Sequence, residues 1–198
     1  HRVHLLDTLV RALARDGVAE GLPARVFVFG VPALPPAYVD VLAALGGALD
    51  VDVHLVSPTP AHTGDLVTPR ELARRTRTID AEAAHLEIGN ALLAALGRQG
   101  AEFRDLLFAW NPHPVDVYVE PDEATMLGAI QADIFHVRER GGPDMPATPR
   151  GDDGSVQVHA CHGPMREVEV LYDQLLALFD RDPTLGPADV VVMTPDIE

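Results

Sequence analysis

Apolar residues open the chain at helical spacing: Leu5, Leu6, Leu9, Val10 and Leu13 lie three and four apart, and Asp16-Gly17 supplies a stop. A first helix is predicted there. The period then changes. Arg25-Val-Phe-Val-Phe-Gly30 is short, β-branched and aromatic, follows Leu22-Pro23, and predicts a buried strand. Pro32, Pro35 and Pro36 block helix until Ala37. From there Val39, Leu42, Ala43 and Leu45 make an apolar face that ends at Gly46-Gly47, and Val51 to Val56 predicts a second strand. Strand, helix, strand at this spacing is a βαβ unit, which implies a parallel sheet with a right-handed crossover.

The stretch Ser57 to Glu87 is polar. Within it, Thr68-Pro69-Arg70-Glu71 has capping-box spacing with Pro at the first helical position, which predicts a short surface helix through Arg75. Gly89-Asn90 opens a longer helical pattern through Leu92, Leu93, Leu96, Phe103, Leu106 and Leu107; Gly97 and Gly100 interrupt it, so one helix or two remain open. Val115 to Val119 reads as a short strand. Thr125 to Arg138 reads as a helix with Met126, Leu127, Ile130, Ile134 and Val137 on one face.

Gly141 to Gly154 has four Gly and three Pro and no periodicity, the composition of a linker and the best candidate domain boundary. A second β-α-β pattern follows: Ser155 to Cys161 as strand, Pro164 to Phe179 as a helix burying Val168, Leu171, Leu175 and Phe179, and Asp189 to Met193 as strand.

Composition changes this picture in several ways. The 198 residues are 47% hydrophobic but only 5% aromatic, so the core must be built mostly from Leu, Val and Ala. The net charge of −15 excludes a basic, self-sufficient polyanion-binding domain but leaves a local Arg patch open. All 15 basic residues are Arg; the chain has no Lys. The single Cys161 cannot form an internal disulfide, which fits a reducing cytoplasm. No apolar run approaches the roughly 20 residues needed to span a bilayer, and no signal-peptide pattern opens the chain. The first residue is His1 rather than Met, and the sequence ends just past the apolar run Val190 to Met193, so we expect a window from a longer protein.

Candidate chemistry is sparse. G-x-x-x-x-G-K-[ST] is impossible without Lys, and no G-x-G-x-x-G follows a predicted strand, so these residues do not argue for nucleotide hydrolysis. His159, Cys161 and His162 are three soft ligands within four residues. Along a strand, however, His159 and Cys161 face one side while His162 falls at the strand end, and the bland reading of a strand turning into a helix is preferred. Arg166-Glu-Val-Glu169 opens the last helix, where Glu167 and Glu169 suit the positive end of the helix dipole. Asp50 and Asp52 flank the amino end of the second strand and read as solvated turn residues, because functional groups in open parallel sheets gather at carboxyl ends.

Several stretches resemble one family, the gamma subunit of bacterial exonuclease V (RecC). They are Leu22-Pro-Ala-Arg-Val-Phe-Val-Phe-Gly-Val-Pro-Ala-Leu-Pro-Pro36, Gly89-Asn-Ala-Leu-Leu-Ala-Ala-Leu-Gly97, Val158-His-Ala-Cys-His-Gly-Pro-Met-Arg-Glu-Val-Glu-Val-Leu171, and Asp182-Pro-Thr-Leu185 with Asp189-Val-Val-Val-Met193. The residues that carry the resemblance most specifically are Phe29, Gly30, Leu34, Pro35, Pro36, Gly89, Asn90, His162, Arg166, Glu167 and Glu169. The resemblance implies an α/β, RecA-like (superfamily-1 helicase-like) parallel sheet with flanking helices and degenerate motor motifs. It implies that residues 1–140 are the end of a first RecA-like domain, 141–154 a linker, and 155–198 the start of a second. In an active relative the first strand would end in Asp-Glu; Gly30 and Val31 stand there instead, leaving no metal ligand and no base. Arg166 lies near the position of an Arg that reaches the nucleotide in active helicases, and is expected to be structural here.

The resemblance therefore implies a non-catalytic scaffold and DNA-guiding segment. It needs no cofactor of its own, since ATP and Mg²⁺ would act in RecB-like and RecD-like partner subunits. Double- and single-stranded DNA would be met through the full cytoplasmic complex, with no membrane contact. The positions that carry Chi reading fall mostly upstream of Leu22, and no DNA-contacting residue is assigned. Two other readings compete: a free-standing α/β metal-dependent enzyme using His159, Cys161 or His162, and a protein-interaction module without a DNA role.

Overall fold

In the computed structural model, the described residues are 2–16, 23–77, 86–142, 145–146 and 153–195. They form α1 (Arg2–Asp16), β1 (Arg25–Phe29), α2 (Pro36–Gly46), β2 (Asp50–His54), α3 (Pro69–Arg75), α4 (Ala91–Leu96), α5 (Arg98–Phe108), α6 (Met126–Phe135), α7 (Pro164–Arg181) and a 3₁₀ turn, Pro187–Asp189. The chain divides into two compact units, His1–Asp153 and Gly154–Glu198. Gly17, Leu22 and, within the Gly/Pro-rich segment, residues 143–144 and 147–152 lie outside the described residues.

The first unit contains the βαβ arrangement that the pattern predicts. β1 and β2 pair in parallel, in register from Arg25 opposite Asp50 to Phe29 opposite His54. α2 connects them and packs on β2, and α1 packs on α2. Pro36 is the first residue of α2, where the missing N–H is no loss because that donor lacks an intrahelical partner anyway.

β1 is not the buried strand expected from its composition. Val26 and Val28 are half-buried, whereas Phe27 and Phe29 are 63% and 79% exposed. A strand's side chains alternate between faces, and in this unit the second face lies open. Asp50 and Asp52 also differ from expectation. They belong to β2 itself, and the register brings both to Arg25, whose guanidinium lies 2.9 Å from Asp50 and 3.5 Å from Asp52. They are cross-strand partners of one cation rather than solvated turn residues, and the Asp50 hydrogen bond raises the Arg25 pKa.

Caps explain the helix starts. Thr68 accepts from the Glu71 N–H at 3.2 Å, Asn90 from the Leu92 and Leu93 N–H groups at 3.1 Å each, and Thr125 from the Gly128 N–H at 3.0 Å. The long pattern after Asn90 resolves as two helices. Gly97 separates α4 from α5, and Gly100 lies within α5. The core is small and aliphatic around one ring: Val39, Val67, Leu93, Ala101 and Ala132 are buried with Phe103. In α6 the buried face is Gly128, Ala132 and Asp133; Met126 and Leu127 on the expected face are exposed.

Three expected strands are not strands. Val115 to Val119, Ser155 to Cys161 and Asp189 to Met193 carry no ladder, and the Val115, Val117 and Val119 side chains are exposed. Alternating valines satisfy the period, but a strand also needs a partner backbone, and none of the described residues pairs with these segments. The second unit therefore contains α7 and the short 3₁₀ turn rather than β-α-β. No residue of α7 is buried. Val168 and Leu171, expected inside, are exposed, while Leu175 and Phe179 are half-buried.

Candidate functional site

In an open parallel sheet the carboxyl ends of the strands are where chemistry is normally mounted. Here β1 ends at Phe29, and Gly30 follows at φ +70°, a left-handed conformation that glycine adopts without a Cβ penalty. The chain then runs through half-buried Leu34 to Pro35, the N-cap of α2, and Pro36. His54 at the end of β2 meets the rings of Phe27 and Phe29 at 6.0 and 6.1 Å between centroids. Gly30 and Val31 offer a hydrogen and an isopropyl group. Neither side chain supplies a carboxylate to ligate a cation or to act as a base for water.

Beyond β2 the chain passes to Thr59, which is almost fully buried. Its hydroxyl donates to the Phe135 carbonyl at 2.6 Å and accepts from the Ala61 N–H at 3.1 Å. Phe135 is the last residue of α6, and its carbonyl has no partner within the helix. The other terminal groups of α6 are satisfied by a Schellman cap. The Val137 N–H bonds the Ile134 carbonyl at 3.2 Å, and the Arg138 N–H bonds the Asp133 carbonyl at 2.9 Å. The left-handed position of that cap is Val137, at φ +53°, where glycine is usual. A β-branched residue there is strained by about 1–2 kcal/mol.

Gly89 and Asn90 dock onto this cap. A Cβ at Gly89 would lie 2.8 Å from both Leu66 Cδ2 and Val137 Cγ1. Asn90 is buried, caps α4 with its oxygen, and donates its amide N–H to the Arg138 carbonyl at 3.0 Å. The Ala91 N–H bonds the Glu139 carboxylate at 2.8 Å. The family-like Gly89-Asn90 pair thus forms a structural joint between the start of α4 and the end of α6.

Charge locks the joint. The Asp133 carboxylate accepts from Arg138 Nε at 2.7 Å and from Arg140 Nε and Nη2 at 2.9 Å each. Glu123 accepts from Arg140 Nη2 at 2.8 Å and also from Arg138. Hydrogen bonds from Arg140 first, then Arg138, hold both carboxyls below the usual carboxylate range, against desolvation pulling the other way. His136 adds a 2.8 Å contact to Glu120, and the Phe135 ring lies edge-on to Tyr118. These bonds fix the geometry of the joint.

In the second unit, His162 is exposed just before α7. Arg166 and Glu169 pair with each other at 3.0 Å, an i,i+3 contact on the helix surface that raises the Arg166 pKa. Glu167 lies in the first turn, where the dipole favours it. His159 makes a 3.2 Å hydrogen bond with Gln157, and Cys161 is half-buried. Among the described residues no three His, Cys, Asp or Glu side chains come together as a metal site.

Residue reasoning did not single out Thr59, Glu123, Asp133, Arg138 or Arg140. The polar spacing Asp133, Arg138, Arg140 was the available signal, but only the turn after α6 folds it into one cluster.

Residues 1–137 match the model of the RecC N-terminal domain family. The chain belongs to the RecC family. The RecBCD enzyme subunits RecC of Haemophilus influenzae and Escherichia coli are each 33% identical to it over its full length. The corresponding subunit of Mycolicibacterium smegmatis is 40% identical over 89% of this chain. The chain spans about a fifth of the length of these relatives, from 16% to 21%. The RecC match ends at Val137, the left-handed residue of the α6 cap, so it takes in the whole βαβ unit and the joint apart from Arg138 to Arg140. No helix among the described residues is long and apolar enough to cross a membrane.

Proposed function

We propose that this segment is a non-catalytic scaffold and DNA-guiding part of an exonuclease V gamma subunit, acting with RecB-like and RecD-like partners in ATP-dependent processing of broken DNA ends and recombinational repair. In this reading the βαβ unit belongs to a RecA-like sheet with degenerate motor motifs, and Chi recognition is a property of the whole cytoplasmic subunit. The observation that carries it is the strand end of a RecC-family chain at which Gly30 and Val31 stand where a motor needs two carboxylates. The lack of any Lys points the same way, since both a Walker lysine and a nuclease lysine are missing. ATP and Mg²⁺ are then the business of the partner subunits, and the ion pairs around Asp133 hold a frame.

The test uses the full-length subunit, alone and assembled with its partners. Alone it should neither hydrolyse ATP nor degrade DNA, and the assembled complex should do both. ATP hydrolysis by the isolated subunit, abolished by Arg166→Ala, would overturn the proposal.

A further inference from the structure

The acidic chain concentrates four of its 15 arginines within eight residues: Arg70, Arg74, Arg75 and Arg77. On and just beyond α3 they separate into two sets. Glu71 and Arg75, one turn apart, face Arg98 at the start of α5. Glu71, with 17% of its side chain exposed, accepts from Arg75 and from Arg98 Nη2 at 3.0 and 3.2 Å. Those bonds, Arg98 first, hold the Glu71 carboxyl below its ordinary range. One carboxylate thus staples α3 to α5 and is consumed in doing so. Arg70 and Arg74 are spaced i, i+4 on α3, and Arg77 follows just past its C-cap, Thr76. All three line an open cleft of about 890 Å³ with Arg98, Thr68 and three alanines, and the Glu71 carboxylate also lines it, neutralised there by Arg75 and Arg98. Arg74 reaches Glu71 only at 3.9 Å, with 77% of its side chain exposed. Arg70 and Arg77 have no ion-pair partner among the described residues.

We infer that this cleft binds the phosphate backbone of a DNA strand, an inference that rests on the DNA-guiding reading above and locates its contacts. The lining decides the ligand class. Guanidinium forks match phosphate oxygens, and a phosphodiester chain needs nothing but spaced cations. An acidic polypeptide partner would also seek apolar anchorage, and among the described residues the apolar lining is three alanines, too shallow to seat an aromatic or branched side chain. The overall charge of −15 is no obstacle, because exposed charges beyond about 8–10 Å are screened at physiological salt.

The test measures the affinity of the full-length subunit for a fluorescent oligo-dT across a salt series, for the natural sequence and for Arg70→Gln/Arg74→Gln/Arg77→Gln. Arg98 is left intact because it staples the helices. Each lost phosphate contact lowers the slope of log K against log salt by about 0.7, so the triple variant should lose about 2 units of slope and bind roughly tenfold more weakly at low salt. An unchanged thermal midpoint would exclude unfolding as the cause. DNA binding with an unchanged slope would overturn this inference and leave the proposed function standing. No DNA binding by the natural subunit would overturn both. Poly-glutamate that displaces the oligonucleotide at equal charge, and binds only when the three arginines are present, would overturn it in favour of an acidic protein partner.

Discussion

Arg138 is bonded to Asp133 twice: its backbone N–H reaches the Asp133 carbonyl at 2.9 Å, and its side-chain Nε reaches the Asp133 carboxylate at 2.7 Å. The first bond closes the cap of α6, and the second is one arm of the network with Arg140 and Glu123. A strained Val137 sits between the two ends of this double tie.

The tie has a pH signature. The Asp133 and Glu123 carboxyls are both depressed in the folded chain, chiefly by Arg140. A depressed carboxyl contributes stability that is present above its unfolded pKa, near 4, and is lost as pH falls through the lower folded value. Asp133→Asn should therefore lower stability by about 2 kcal/mol at pH 7, since the Asp133 side chain is only 10% exposed and two guanidinium groups lose an acceptor. Its stability should also decline less steeply than that of the natural chain below about pH 4. Urea unfolding at a series of pH values measures both; parallel curves for the two proteins would contradict the network's role.

Thr59 joins segments 76 positions apart through a single hydroxyl. Thr59→Val keeps the shape but removes the partner of the Phe135 carbonyl and the Ala61 N–H in a part-buried place, so we expect a loss of about 1 kcal/mol. Thr59→Ser restores the hydroxyl and should recover most of it. A valine variant as stable as the threonine chain, by thermal or urea unfolding, would mean that water replaces the hydroxyl at no cost.

What the sequence made legible was local. Thr68, Asn90 and Thr125 announce helix starts because a cap acts within three residues, and the βαβ unit is readable because both strands and their crossover lie within about thirty residues, as such units do. What stayed hidden was distant in the chain. Arg25 meets Asp50 and Asp52 only through the parallel register, and Asn90 finds Arg138 only through the α6 cap. The segments Val115 to Val119 and Ser155 to Cys161 show the opposite failure: their composition suits a strand, but strand formation depends on a second backbone that sequence periodicity does not encode. The pair Gly89-Asn90 was visible as letters; its place in a joint needed the geometry.

Asn90 has three bonds to lose. Asn90→Ala removes the cap from the Leu92 and Leu93 N–H groups and strands the Arg138 carbonyl, so its cost should sit at the upper end of N-cap values, about 2 kcal/mol. Thr68→Ala removes one capping bond from a seven-residue surface helix and should cost about 0.5–1 kcal/mol. Asn90→Asp keeps the capping oxygen but loses the donor to Arg138 and should fall between the two. Equal losses for Asn90→Ala and Thr68→Ala in urea titrations would show that the joint adds nothing to the cap.

Gly30 and Gly89 should fail on substitution for different reasons. At Gly30 a new methyl group meets nothing within 4 Å, but φ is +70°, so Gly30→Ala should cost only the left-handed penalty of about 1–2 kcal/mol. At Gly89 a methyl would press on Leu66 and Val137 at 2.8 Å. Val137 is already strained in the cap and Leu66 is half-buried, so both side chains must give way to admit the methyl. Gly89→Ala should cost about 1–3 kcal/mol by overpacking. The separating test is a second-site change. Val137→Ala removes the Cγ1 that a Gly89 methyl would strike, so in the Gly89→Ala background it should cost less than it does alone. In the Gly30→Ala background its effect should simply add. Additivity at both positions would show that Gly89 is not needed for the close approach.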